Sequence, residues 1–434
     1  MKVCLINPPQ PELWNPTSYP PLGLLYVAAA LEEEGIEVAV HHQPDRRLED
    51  QLGDIPPADV YGITATSAML PAAKRLVDAL RPRGARIVLG GVHATVDPQG
   101  ALQHTGADVV FDGEGERALP AWCKGQAPAE AGVVRAGRIY DLDGLPWPAR
   151  HLLPREVICD ISGIHAGEDR AKRDRVYSAV EFDSQDSPAT TIITSRGCPY
   201  RCAFCCKTRV TEGVRYRSPP NILAELLAVR DSYGVRHFRI VDDAVTIDRW
   251  RAMELFEMMV GEDLCFTTIL RADSIRDPQM LAHLHRGGVR FCSFGAESGD
   301  QGILDRINKR ESVEEITRVI GWCRDAGIKT KVFLIFGLPG ETLETVEATK
   351  RFMRQARPDS YTLSSFQPLP GSAIYDRPGE YGLVPSDDWH DPGAGWFYHE
   401  PADVDAGFPY AMPVEVRRAR GELIRYLRGG EWRG

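Results

Sequence analysis

Apolar and polar positions follow two rhythms along this chain. Short apolar runs of strand length alternate with longer stretches whose apolar residues recur three and four apart. Lys2 to Ile6, Ile36 to Val40, Asp59 to Ile63, Arg86 to Leu89 and Asp108 to Phe111 read as strands. Leu22 to Glu34 reads as a helix, with Leu24, Leu25, Val27, Ala28 and Leu31 apolar and Gly35 as its stop. Ala72 to Leu80 reads as another helix. Alternation of this kind predicts an α/β fold, a doubly wound parallel sheet with helices on both faces. A Rossmann-like or flavodoxin-like strand order would place a ligand crevice at the carboxyl ends of the first and third strands.

The rhythm lapses and then resumes. Val133 to Tyr140 reads as a small hairpin with Ala-Gly at its turn, and Leu142 to Arg150 as a proline-rich linker. Residues 159–188 are charged and aperiodic, which suits a flap or a spacer. Thereafter six strands are expected: Thr190–Thr194, His237–Val241, Cys265–Leu270, Arg290–Gly295, Lys331–Phe336 and Ser360–Phe366. Helices fall between them at Pro220–Ser232, Trp250–Gly261, Pro278–Gly287, Ser312–Ala326 and Leu343–Ala356, with Gly234, Gly287 and Gly327 as stops. That is a partial (β/α)6 barrel, whose chemistry should sit at the carboxyl ends of its strands. The tail beyond Ser372 carries Trp389, Trp396, Phe397, Tyr398, Phe408 and Tyr410, suited to capping the barrel mouth, and ends in an arginine-rich helix from Val414 to Leu427. The expected domains are residues 1–140, a linker 141–188, a barrel 189–371 and a C-terminal extension 372–434.

Composition narrows the partners. Hydrophobic residues make up 43% of the 434, ordinary for a globular chain, and the formal net charge is −10. Such a chain has no general basic field to gather phosphates, which argues against a nucleic-acid partner. No apolar run approaches the ~20 residues that span a membrane. Met1 to Asn7 enters a strand directly, without a signal-peptide pattern, so the expected compartment is the cytoplasm, where thiols stay reduced.

Chemistry concentrates in one loop. Cys198, Cys202 and Cys205 stand at C-x₃-C-x₂-C spacing just after the first barrel strand, with Cys206 adjoining. Zinc sites draw two-plus-two ligands from separated pairs, whereas three thiols on one loop better suit an iron–sulfur cluster. A cubane held by three cysteines leaves one iron for a non-protein ligand. The other strand ends gather polar groups on the same rim: Asp242 and Asp243, Arg271 and Asp273, Glu297 and Ser298, Gly337, and Gln367. In the first third, the loops after the strands are rich in small and hydroxyl residues. Asn7-Pro-Pro leads to Tyr19 and Gly23, Thr64 to Leu70 includes Thr66, Ser67 and Met69, and Gly90-Gly91-Val-His93 follows the fourth strand. Small residues permit close backbone approach and hydroxyls can bond a polar ligand.

The cysteine loop, with Phe204 before its last cysteine, resembles that of the radical S-adenosylmethionine (SAM) superfamily. Asn7-Pro-Pro, Pro21-Leu-Gly-Leu-Leu, Gly90-Gly-Val-His93 and Asp112-Gly113-Glu114-Gly-Glu116 resemble the cobalamin-binding domain that precedes the barrel in the B12-dependent group of that superfamily. The resemblance implies a [4Fe-4S] cluster, SAM and cobalamin as cofactors, an external one-electron reductant, and a small-molecule, peptide or carrier-bound substrate. It implies methyl transfer to an unactivated carbon; the alternatives are cyclisation or ring rearrangement on the same cofactors, radical SAM chemistry beside a vestigial B12 domain, or, without catalysis, a corrin or iron–sulfur carrier. Charge then suggests roles toward SAM: Arg271 can pair its carboxylate, Glu297 accept from its ammonium or ribose, Asp242 or Asp243 bond an amine or ribose, and Phe204 and Phe336 cover adenine, with Ser298 and Gln367 on the same rim. The resemblance implies that Ala296-Glu-Ser-Gly, Leu334 to Glu341 and Pro368-Leu-Pro-Gly371 surround SAM. It places cobalamin among Tyr19, Gly23, Thr64, Thr66, Ser67, Met69, Leu70, Gly90, Gly91, His93, Gly113 and Glu114. The D-x-H-x-x-G signature of a cobalt-ligating histidine is absent, so His93 is expected near the ligand tail rather than on cobalt, and the lower face is expected to meet either the loop Thr64 to Leu70, where Met69 and Leu70 would cover it, or Tyr19.

Overall fold

The computed structural model describes residues 1–9, 19–127, 132–159, 188–211, 213–386, 410, 412–430 and 432. The flap or spacer expected after Cys159, and Trp14, Trp389, Trp396, Phe397, Tyr398 and Phe408, lie outside the described residues.

Six strands build the first sheet: β1 (Lys2–Asn7), β2 (Glu37–His42), β3 (Val60–Thr64), β4 (Arg86–Gly90), β5 (Val109–Gly113) and β6 (Gly132–Gly137). Their order is β2-β1-β3-β4-β5-β6, and every pair is parallel. The chain reverses direction across the sheet at β1 and β3, as the doubly wound expectation requires. The helix Leu70–Leu80 is amphipathic, burying Leu70, Ala73, Leu76, Val77 and Leu80 on one face. The helix Leu22–Glu33 is instead buried nearly all round, because the first sheet lies on one side and the barrel on the other. The expected hairpin at 133–140 is corrected: β6 is a sixth strand lying parallel to β5. The helix Gly115–Cys123 makes the crossover that a parallel neighbour needs. Its periodicity was hidden by Pro120, and Ala-Gly at 136–137 ends a strand rather than turning one.

The second sheet comprises β7 (Ala189–Ile192), then, beyond a short hairpin β8 (Ser195–Arg196) and β9 (Arg215–Tyr216), β10 (His237–Ile240), β11 (Cys265–Leu270), β12 (Val289–Glu297), β13 (Lys329–Phe336) and β14 (Ser360–Ser365). Its order is β14-β13-β12-β11-β10-β7, all parallel. Sequential strands with a helix between each pair curl into a half-barrel that stays open between β7 and β14 among the described residues. Side chains alternate faces along each strand. Cys292, Phe294 and Ala296, or Val332, Leu334 and Phe336, join the apolar cluster under the helices, while the residues between them face the barrel interior. The barrel helices begin on side-chain caps from Ser218, Asp248, Asp277, Ser312 and Thr342, each satisfying an otherwise orphaned N–H.

In the described part of the tail, the Tyr410 hydroxyl donates to the Gly337 carbonyl at the end of β13 and its ring meets Phe366 edge-to-face, so this stretch reaches the rim of the barrel. The helix Val414–Gly429 packs on the flank, where the Tyr426 hydroxyl donates to the Lys350 carbonyl at 3.1 Å and Trp432 meets Tyr361 edge-to-face. No described helix is long and apolar enough to cross a membrane.

Candidate active site

The cysteine loop is suspended by three hydrogen bonds from two distant segments. Ala203 N–H donates to the Ile307 carbonyl at 2.8 Å, Ile374 N–H donates to the Ala203 carbonyl at 3.0 Å, and the Asn308 amide donates to the Arg201 carbonyl at 2.8 Å. At its entry Gly197 has φ 105°, and an added Cβ would lie 2.1 Å from the Gly213 carbonyl, so only glycine fits. Cys198, Cys202 and Cys205 are free thiols that line one cleft with Arg201, Asn308, Arg377 and Tyr381. Burial pushes the Cys205 thiol up to about 12 and raises Cys198 and Cys202 as well, so binding a metal here must displace protons.

Behind the loop sits a charged cluster that the sequence only half disclosed. Lys309 Nζ lies 3.1 Å from Glu297 and 3.3 Å from Glu311, and all three are buried. Glu297 stands at φ 61°, at an irregularity in the β12–β13 pairing that turns its carboxylate inward. Gly295 leaves the room: a Cβ there would come within 2.4 Å of Glu297 Oε1. Lys309 and Glu311 were missed because Asn308–Glu311 reads as an ordinary polar loop, and no periodicity marks its burial.

Several expected SAM contacts are turned to other work. Arg271 presents Nε and Nη2 to Asp273 at 3.1 and 3.0 Å, donates to the Lys309 carbonyl at 2.8 Å, and stacks 3.5 Å from the Tyr200 ring centroid. The two-pronged face expected for a carboxylate ligand is therefore filled from within the chain. Asp242 is 2% exposed and accepts from Thr194 N at 2.7 Å, Thr194 Oγ1 at 2.5 Å and Ser195 Oγ at 2.6 Å, so it fixes the strand end that leads into the cysteine loop. Ser298 Oγ accepts from Asp300 N, shaping the turn after β12. Phe336 lies on the helix side of β13, in the apolar cluster, whereas Phe333 and Ile335 face inward; strand alternation decides this. Phe204 is half-buried against that same cluster and Gln367 half-buried beyond β14. Asp243 meets Lys207 at 2.9 Å on a cavity wall.

That cavity, about 330 Å³, lies between the carboxyl ends of the two sheets. Gly23, Thr64, Gly90, Gly91, Gly113 and Glu114 line it from the first sheet, and Ser195, Arg196, Gly197, Lys207, Val241 and Asp243 from the barrel. An added Cβ at Gly23 or Gly90 would meet no protein atom within 4 Å, so it would project into open space. At Gly91, φ 95°, it would lie 2.6 Å from Thr64 Oγ1, and at Gly113, φ 121°, 2.5 Å from the Gly137 carbonyl. Val27, Thr95, Phe111, Leu119 and Arg138 also line the cavity and were not anticipated.

The remaining candidates stand elsewhere. Met69 and Leu70 are buried in the core beneath the sheet rather than covering the cavity floor. His93 is 2% exposed, its Nδ1 lies 2.9 Å from Ser67 Oγ, and burial lowers its pKa. Thr66 faces solvent. Tyr19 places its ring 5.0 Å from the Arg239 guanidinium, bridging to the barrel. Glu114 lines the cavity, but its carboxylate accepts from Arg215 at 2.6 and 2.9 Å, Arg196 at 3.2 Å and Ile139 N at 2.6 Å.

Comparison with known proteins gives the arrangement a context. Residues 16–122 match the model of the B12 binding domain and residues 192–353 that of the Radical SAM superfamily, together more than half of the chain. An uncharacterized methyltransferase of Pyrococcus horikoshii is 27% identical, covering 90% of this chain and 85% of its own. An anaerobic magnesium-protoporphyrin IX monomethyl ester cyclase of Rubrivivax gelatinosus is 25% identical, over 84% and 67%. The fold matches that of the radical SAM methyltransferase TsrM of Kitasatospora setae, solved with cobalamin and a [4Fe-4S] cluster, at TM-score 0.66 and 18% identity over 99% of both chains.

The residues present fit these groups. Three free thiols lining a common cleft suit a multi-iron group. The glycine-lined cavity suits a broad planar ligand approached closely by backbone. With matching models on both sheets in the expected order, the chain belongs to the cobalamin (B12)-binding radical SAM enzyme family.

Proposed function

We propose that this enzyme transfers a methyl group to an unactivated carbon of a small molecule. One observation carries the reading: a single cavity is walled by the carboxyl ends of the first sheet and by the residues on either side of the cysteine loop. When bound, the iron–sulfur cluster supplies an electron that cleaves SAM reductively, and the corrin supplies a methyl carrier. The chain's own residues hold and exclude. Cys198, Cys202 and Cys205 would ligate the cluster. Glu297, balanced by Lys309, would accept from the SAM ammonium or ribose. Gly23, Thr64, Gly90, Gly91 and Gly113 would let the corrin approach the backbone, and the apolar lining of Val27, Phe111 and Leu119 keeps water from a reactive radical. The reading further implies an external one-electron reductant and a cytoplasmic setting, where these thiols stay reduced.

The test is product stoichiometry in anaerobic turnover. Each methylated product should be matched by one 5′-deoxyadenosine and one S-adenosylhomocysteine. Deoxyadenosine without S-adenosylhomocysteine would reject methylation and favour rearrangement or cyclisation, the second reading, which the likeness to the cyclase supports.

A further inference from the structure

Each carboxylate on the wall of the cavity between the sheets has a cation beside it. Glu116 meets Arg196 at 2.7 Å, Glu114 meets Arg215 at 2.6 Å, and Asp243 meets Lys207 at 2.9 Å. One lining cation is then left over. Arg138, just beyond the end of β6, has no carboxylate within ion-pair distance among the described residues. Its acceptors are carbonyls: Nη2 donates to that of Arg209 at 3.1 Å and Nη1 to that of Gly137 at 3.5 Å, while the buried Nε has no partner. The guanidinium is held at the cavity, since a Cβ added at Gly113, which also lines it, would lie 3.2 Å from Arg138 Nη1. Arg138 belongs to neither stretch that the family models match, and it rests on a strand whose pairing the sequence concealed.

We propose that Arg138 is an oxyanion site on the cavity wall, suited to a phosphate group. A guanidinium stays charged at any pH the fold survives, and two carbonyls occupy only part of its planar fork. The remaining donors can meet two oxygens of one phosphate. A half-buried cation without a counter-charge is costly beside an apolar lining, and an anion in the cavity offsets that cost. Two sources present this chemistry. Cobalamin carries a phosphodiester in the tail that hangs from its ring, and a substrate can carry a phosphate of its own. The first source rests on the corrin reading above. It makes Arg138 a specificity residue, one that tells a complete corrinoid from one lacking the tail.

The test uses the full chain and three ligands: inorganic phosphate, cobalamin, and cobinamide, which keeps the ring and cobalt but ends before the phosphodiester. Phosphate binding is followed by ³¹P line broadening and corrin binding by visible absorbance. The unaltered chain should bind phosphate, R138Q about tenfold more weakly, and R138K nearly as well as the unaltered chain. If the corrin tail is the source, cobalamin should expel phosphate from the unaltered chain and cobinamide should not, a comparison that needs no variant to fold. R138Q should then weaken cobalamin about tenfold and leave cobinamide unaltered. If a phosphorylated substrate is the source, the cobalamin-loaded chain should still bind phosphate through Arg138. No phosphate binding by the unaltered chain, or binding that R138Q leaves unchanged, would overturn the proposal. Equal weakening of cobalamin and cobinamide would also sink it, because Arg138 would then only shape the wall. If neither corrin binds the unaltered chain, the corrin reading fails, and the phosphate titration still decides the anion site.

Discussion

Two buried side chains show how single residues govern this molecule. Asp242 was expected to meet SAM by its place at a strand end, yet three donors from Thr194 and Ser195 saturate it. It acts on the cysteines at one remove, by fixing the start of their loop. Asp242→Asn keeps one carbonyl oxygen and substitutes a donor where hydroxyls donate, leaving at least one buried donor unmet, at roughly 1–3 kcal/mol. The variant should lose thermal stability and bind less iron and sulfide per chain; an unchanged cluster content with weakened SAM affinity would return Asp242 to the cofactor. His42 carries a pH dependence. Its ring lies 3.1 Å from the Asn7 amide, its Nε2 has no partner, and burial lowers its pKa from 6.5 to about 4. The folded state therefore prefers the neutral ring. Stability from this group is complete above pH 6.5 and is lost as pH falls from 6.5 towards 4, by about 3 kcal/mol in all. His42→Gln should flatten the slope of urea-unfolding stability across that window, whereas an identical slope would mean the ring titrates normally.

At the scale of elements, packing against glycine decides where strands may end. Gly299 closes the turn after β12 against the helix Leu343–Ala356, and a Cβ there would lie 2.5 Å from Thr349 Cα and 2.7 Å from Phe352 Cβ. Backbone cannot give way as a flexible side chain would. Gly299→Ala should cost about 1–3 kcal/mol, or more if the helix is forced off β12, read as a lower urea midpoint. An unaltered midpoint would show that the turn has slack. These elements also show what could be read beforehand. Barrel strands and helices were legible to within a few residues, since each βα unit repeats the same switch of period and most helices end at a glycine. The strand at 132–137 was misjudged because Ala-Gly suits a hairpin turn and a strand end alike, and the described chain beyond it, through residue 159, forms no second strand. The rim was legible as a list of strand ends, but not as a list of contacts. Phe336 lies one residue out of phase with the inward-facing set, and Arg271 is claimed by Asp273 and Glu311. Partners from distant segments, such as Lys309 for Glu297, leave no local trace.

Over the whole molecule, the two sheets are joined by charge. Glu114 and Glu116, at the end of β5, clasp Arg196 and Arg215 in the hairpin that brackets the cysteine loop. A second buried knot sets Glu225 between Arg150 of the linker and Arg217 at 2.7 and 2.6 Å. Burial alone would raise the Glu114 pKa, but the Arg215 hydrogen bonds, the Ile139 N–H and Arg196 outweigh it and hold it low, so the clasp stays charged well into acid. Glu114 faces the cavity between the sheets while Arg196 adjoins Gly197 and Cys198, so the clasp would set the spacing of the proposed corrin site against the proposed cluster site. Removing one partner of a buried pair leaves the other charge uncompensated, at about 3–5 kcal/mol where burial is complete and less here, since both groups keep some exposure. Glu114→Gln should therefore leave iron and sulfide content intact, since no cysteine is touched. It should weaken corrin retention, read from the visible absorbance after gel filtration, and uncouple the reaction, so that 5′-deoxyadenosine still forms while methylated product falls. Loss of cluster together with corrin would mean that the clasp only holds the fold. Retention of both cofactors with full coupling would mean that the spacing is set elsewhere, and Glu225 would be the next carboxylate to test.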